Sequence, residues 1–215
     1  LITSPEAEEI KLSLWELAKE GGWIMVVLAI FSIIAVYIFA ERFVSINKAA
    51  KKDDNFMNMI RNYMIEGKID EAKDLCKQTD TSISRMIEKG LSRIGKPLND
   101  IQTAIENVGN LEVSKLEKGV ALIGMISGAA PMLGFLGTVT GMIRAFYDMS
   151  MAGNNIDIEL LSAGIYEAMV TTVGGLFVGI LAYIFYNVIV SKIDKVVNLL
   201  ESKSIEFMDV LNEPA

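Results

Sequence analysis

The 215-residue chain contains no histidine and only one cysteine, Cys76. Without imidazole, His-ligated metal sites, Ser-His triads and imidazole proton relays are excluded. A single thiol cannot close an internal disulfide. Cys76 lies in the charged segment from Glu71 to Gln78 and reads most simply as a small core residue. Basic excess is also missing: 20 Lys and Arg stand against 27 Asp and Glu, a net charge of −7. The isoelectric point is near 4.8, so no nucleic-acid partner is expected, since one would need a basic face. No Gly-rich phosphate loop, zinc-ligand spacing or nucleophile elbow occurs. Gly134, Gly137 and Gly141 superficially suggest a nucleotide fingerprint, but they lie inside an apolar run with no strand before them. A soluble enzyme is a poor reading, and neither catalysis nor a bound cofactor is expected.

Apolar sequence is what the chain has in abundance. Hydrophobic residues make up 52% and mean hydropathy is +0.39, concentrated in three long runs. The first, 23–40, carries no charge and is just long enough as a helix to cross a hydrocarbon core of about 30 Å. It is not a convincing signal peptide: Glu6, Glu8, Glu9, Glu16 and Glu20 precede it where basic residues belong, and no small-residue cleavage site follows. The chain starts at Leu1, which leaves room for a longer natural N-terminus. The second run, 120–146, is apolar except for Arg144 near its end, and the third, 164–190, has Glu167 as its only charge. The expected fold is an all-α integral membrane protein with three transmembrane helices.

Lys and Arg near the span ends set the expected orientation. Arg42, Lys48, Lys51 and Lys52 follow the first span, Lys115 and Lys118 precede the second, and Lys192 and Lys195 follow the third. Residues 147–163 contain neither Lys nor Arg. Segments 41–119 and 191–215 are therefore expected in the cytoplasm, with 1–22 and the 147–163 loop outside. Arg144 counts against this assignment and is read as snorkelling at the outer interface. Segment 1–22 starts with Ser4-Pro5-Glu6, a good helix opening, and continues with Ile10, Leu14 and Leu17 at helical spacing. It reads as an amphipathic helix on the outer leaflet or one packed on a partner subunit.

The cytoplasmic segment reads as helices over 45–65, 69–77 and 82–94. From Pro97 a helical pattern runs on into the second span, predicting one helix over 98–146, and 156–211 reads as nearly continuous. Helices projecting so far have faces that a lone chain cannot bury, so a homo-oligomer is expected.

The polar residues inside the spans are few. A carboxylate close to lipid costs roughly 2.5 to 3.5 kcal/mol on insertion scales, so Glu167 is expected to face a protein interior or a water path. Thr138, Thr171 and Thr172 lie well inside the apolar runs. Each can satisfy its hydroxyl on its own helix, but the two spans run antiparallel, and Thr138 and Thr172 fall at similar depth. In a ring of subunits they would form a hydroxyl belt around a central space. Glycines four apart (Gly124/Gly128, Gly137/Gly141 and Gly175/Gly179), together with Gly134, permit close helix approach. Pro131 frees a carbonyl near Ser127, or is a passive kink. With one acid in its spans, the chain needs a further carboxylate from another polypeptide to relay protons across a bilayer.

Two segments carry a resemblance. Ala130-Pro131-Met132-Leu133-Gly134-Phe135-Leu136-Gly137-Thr138-Val139-Thr140-Gly141-Met142-Ile143, followed by Gly164-Ile165-Tyr166-Glu167-Ala168-Met169-Val170-Thr171-Thr172-Val173-Gly174-Gly175-Leu176, is similar to the ExbB/TolQ/MotA family of proton-driven inner-membrane stators, closest to its ExbB branch. Tyr186-Asn187 and Glu41-Arg42 also fit. Two departures are Thr140, where the family commonly has tryptophan, and Leu181, near an often-found proline. Three spans rather than four argue against the MotA branch. The resemblance implies a multi-pass protein of the bacterial inner membrane, N-terminus periplasmic and C-terminus cytoplasmic. It further implies a pentamer around a dimer of an ExbD-like single-span partner that carries a protonatable aspartate. Glu167, Thr138 and Thr172 match the family positions implicated in proton flow. The transported ion would be the proton, and the motion would be passed to a TonB-like protein. A TolQ-like role in envelope integrity and a non-conducting scaffold are the alternatives.

Overall fold

A computed structural model describes residues 22–50, 54–151 and 158–212. Among them every regular element is a helix: α1 (Gly22–Ala49), α2 (Asp54–Ile65), α3 (Ile69–Thr79), α4 (Ser82–Leu91), α5 (Leu98–Glu117), α6 (Val120–Met151) and α7 (Ile158–Asn212). The amphipathic segment expected over 1–22 lies outside the described residues, except for Gly22. Three stretches are long and apolar enough to cross a membrane: Gly22–Ala49, Leu98–Met151 and Leu161–Asn212. The fold is that of an all-α membrane protein.

The single helix expected over 98–146 is interrupted. α5 ends at Glu117, Lys118 turns to an extended ψ of 122°, and Gly119 takes a φ of +82° before α6 begins. A side chain rarely tolerates that conformation, and glycine does. The apolar pattern runs straight through this joint, so periodicity alone conceals it. The third span has no such break, and α7 runs for 55 residues.

The chain divides into two units: residues 1–36 with 123–184, and residues 37–122 with 185–215. In the first, α6 and α7 meet along a seam of small residues. A Cβ on Gly175 would lie 2.6 Å from the Ala130 carbonyl oxygen and 2.8 Å from Gly134 Cα. One on Gly134 would lie 2.9 Å from the Thr171 carbonyl oxygen, and one on Gly141 2.9 Å from Ala168 Cβ. Gly179 fits against the ring of Pro131, where a Cβ would come within 3.1 Å of the Ser127 carbonyl that proline leaves without its helical donor. Lipid supplies no hydrophobic drive between helices, so close backbone packing of this kind is what joins them. Large apolar side chains such as Phe135, Met169, Val173 and Phe177 remain exposed, as a face turned to lipid or to other chains requires.

In the second unit α4 packs on both α3 and α5, and α2 packs on α3. Thr81 opens α4 with a reciprocal capping box to Ser84, which satisfies two donors at the helix start. Ile46, Ile60, Ile87, Ile105, Val196 and Phe207 are fully buried. Phe39 stacks on Phe185 with ring centroids 4.2 Å apart. Arg42 donates to the Lys115 carbonyl at 2.7 Å, satisfying one of the free oxygens at the end of α5 where positive charge is favoured.

Glu112 is a buried carboxylate in this unit, 3% exposed. It accepts from Arg85 Nη2, from Lys115 Nζ at 2.7 Å and from Ser82 Oγ at 2.9 Å. Burial pushes this carboxyl upward, but the hydrogen bonds from Arg85, Lys115 and Ser82 and the Arg85 charge outweigh it and hold the group at about 2. The folded value lies below the ordinary 4.5, so the stabilisation is complete above that pH and is lost as pH falls toward 2. Glu112→Gln should cost about 2 kcal/mol at neutral pH. Thermal melts of the solubilised protein check this: the gap between wild type and variant should close between about pH 4.5 and 2.

Candidate functional site

The seam between α6 and α7 carries the span threonines. Thr138 Oγ1 donates to the Phe135 carbonyl at 2.6 Å, which leaves its lone pairs to accept. Thr172 Oγ1 lies 3.2 Å from Thr138 Oγ1 and 3.2 Å from the Gly134 carbonyl. One hydroxyl proton therefore has two acceptors at equal distance. Both side chains are half-buried. Placing them at one depth by counting from the outer span ends agrees with this contact.

Thr171 behaves differently. It is buried at 3% exposure and donates to the Ala168 carbonyl on its own helix at 2.7 Å, with Gly134 O farther away at 3.4 Å. Its hydroxyl fills the space where Gly137 has no side chain. The own-helix bond open to any span threonine is the one Thr171 makes, and its packing role is plain.

Among the described residues Glu167 makes no hydrogen bond to the Thr138–Thr172 pair. It is half-buried and lines a cavity of about 440 Å³ at the end of the first unit. Its Oε1 lies where a Cβ on Gly22 would come within 3.1 Å, at the start of α1, whose first backbone N–H groups have no helical partner. The cavity far exceeds the roughly 10–15 Å³ that one water needs. Thr140 and Thr171 also line it, as do the charged residues Arg144 and Asp148. Thr140 donates to the Leu136 carbonyl at 2.9 Å.

Arg144 and Asp148 were not singled out as site residues from the sequence. The signal was present: positions 137, 141, 144 and 148 recur at helical spacing and share one face of α6. Of the residues expected to shape the seam, Gly134, Gly137, Gly141, Gly175 and Pro131 all meet the facing helix. Among the described residues no cluster of acids and thiols suited to a metal occurs.

The arrangement offers a polar cavity with room for several waters and an acid on its wall, beside hydroxyls on a tightly packed seam. Against that geometry, the sequence profile described as the MotA/TolQ/ExbB proton channel family matches residues 78–202, more than half of the chain. The chain belongs to this family. The matched span includes the Thr138–Thr172 contact, Glu167 and every seam glycine named above. A putative biopolymer transport protein, ExbB-like 1, from Synechocystis is 29% identical over 80% of this chain and 68% of its own length. A putative ExbB homologue from Methanothermobacter thermautotrophicus is 27% identical over 86% and 66%. The Tol-Pal system protein TolQ of Haemophilus influenzae is 32% identical over 46% and 42%. The chain thus spans about two thirds of the length of the two ExbB-like relatives. Family membership and three apolar helices make it a multi-pass membrane protein of a proton-channel family.

Proposed function

We propose that the chain is an ExbB-like stator subunit of the bacterial inner membrane, with its N-terminus periplasmic and its C-terminus cytoplasmic. Several copies, five on the family pattern, surround the spans of a dimeric ExbD-like partner and conduct protons with it. Proton flow drives mechanical work on a TonB-like protein for energised uptake across the outer membrane. The observation that carries this reading is the pairing of Thr138 with Thr172 and the Gly134 carbonyl, with Glu167 on a cavity at the same end of the spans. Hydroxyls that can trade donor and acceptor roles suit a path that orders water or meets a partner's carboxyl without fixed charge. Glu167 supplies the titratable group on the approach. Exposed apolar faces on α6 and α7 fit lipids and neighbouring copies.

The test is proton flux into liposomes that hold this chain alone or with its co-purifying single-span partner. Flux only with the partner supports the reading. No flux in either case favours a non-conducting scaffold, and flux from this chain alone favours a self-sufficient channel. A TolQ-like role in envelope integrity is the second reading, supported by the TolQ relative. The conducting machinery would be the same, and the co-purifying partner distinguishes the two.

A further inference from the structure

Arg144 stands on the wall of the cavity with Asp148 and Glu167. It follows Gly137 and Gly141 on one face of α6 and precedes Asp148 by one helical turn, so both charged residues share that face. Across the cavity, Ala163, Glu167 and Thr171 recur every four residues on α7. Among the described residues, neither Arg144, Asp148 nor Glu167 has a side-chain hydrogen bond or ion pair with another group. Topology does not account for Arg144, because it opposes the orientation that the other Lys and Arg residues set. A fixed positive charge on a route for cations calls for a reason.

We propose that Arg144 sets the ion selectivity of the path to Glu167, as a tethered counter-cation that keeps alkali metal cations out of the cavity. This inference rests on the proton-conducting reading above. Two carboxylates on the wall of a space of about 440 Å³, with Thr140 beside them, are oxygen donors of the kind hard cations take. Guanidinium stays charged at every accessible pH and presents five N–H donors to carboxylates. It supplies the positive charge those acids would otherwise draw from solution. A proton is not excluded in the same way. Hydronium gives its proton to a carboxylate oxygen and leaves as water, and the new O–H then passes its proton to the next acceptor. No metal-sized ion has to stand beside the guanidinium. Without Arg144 the wall would hold two acids and no base.

The experiment compares wild-type and variant complexes, each with the single-span partner in liposomes, reading proton flux against added Na+ and radiolabelled Na+ uptake. Wild type should conduct protons regardless of Na+ and take up none above empty liposomes. Arg144→Gln should raise Na+ uptake about tenfold over that background and let Na+ inhibit its proton flux. Arg144→Lys should keep Na+ out. An Arg144→Gln complex that conducts protons, ignores Na+ and takes up none overturns the inference alone. If Arg144→Gln does not assemble, the wild-type titration still decides, because Na+ competing with protons there overturns it. A wild-type complex that conducts no protons at all overturns the proton-conducting reading itself, and this inference falls with it.

Discussion

Glu167→Gln should reduce partner-dependent proton flux to the background of empty liposomes, a loss of at least about a hundredfold, while leaving assembly intact. Glutamine keeps the shape of the side chain and its place on the cavity wall, but it neither accepts nor releases a proton near neutral pH. Glu167 is half-buried and has no ion pair among the described residues, so neutralising it strands no partner charge. Nothing in the packing explains a folding defect. Glu167→Asp keeps the acid on a shorter arm and should retain part of the flux. Flux measurements beside native mass spectrometry of the same preparations separate conduction from assembly. A glutamine variant that conducts at half the wild-type rate or better would remove Glu167 from the path.

Gly175→Leu should be more damaging still, because it acts on the fold. Even a bare Cβ at this position lies 2.6 Å from the Ala130 carbonyl oxygen and 2.8 Å from Gly134 Cα. Both are backbone atoms of a facing helix and cannot swing aside as a flexible side chain would. Overpacking a tight site typically costs 1–3 kcal/mol, and more where backbone must move. α6 and α7 would have to separate at the level where Thr172 meets Gly134 and Thr138. Loss of assembled complex in detergent is therefore the expected result. Gly128→Ala, on the same α6, is the control, since a Cβ there meets nothing within 4 Å. That variant should assemble normally. If Gly175→Leu assembles as well as Gly128→Ala, the seam does not hold the helices together.

Much of this architecture was legible in the sequence because the membrane imposes length and apolarity on every span. The three runs, the antiparallel order of the second and third, and the match in depth of Thr138 with Thr172 all follow from counting residues. The joint at Gly119 was not legible. A single glycine within a continuing apolar pattern is compatible with an unbroken helix, and only its positive φ marks the stop. The helix expected over 45–65 has its first residues in α1, which runs on to Ala49, and the rest from Asp54 in α2; residues 51–53 lie outside the described residues.

Within the site, sequence reasoning grouped Glu167 with the threonines by polarity. The structure instead places Glu167 on the cavity and Thr138 with Thr172 on the seam. Residues 167 and 172 are five apart on one helix and face different directions, which helical geometry dictates. Thr171, one residue away, turns into the glycine seam and spends its hydroxyl on its own helix. The tie between Arg85 and Glu112 was hidden for another reason. It joins two helices 27 positions apart, and charged residues in a mixed-charge segment read as solvated.

The decisive measurement is a structure of the assembled complex with its single-span partner. Several copies are expected around the partner's spans, with Thr138, Thr172 and Glu167 lining a wetted interior that reaches the partner's carboxyl group. Finding those three side chains against acyl tails, with no continuous polar route between them, would contradict it.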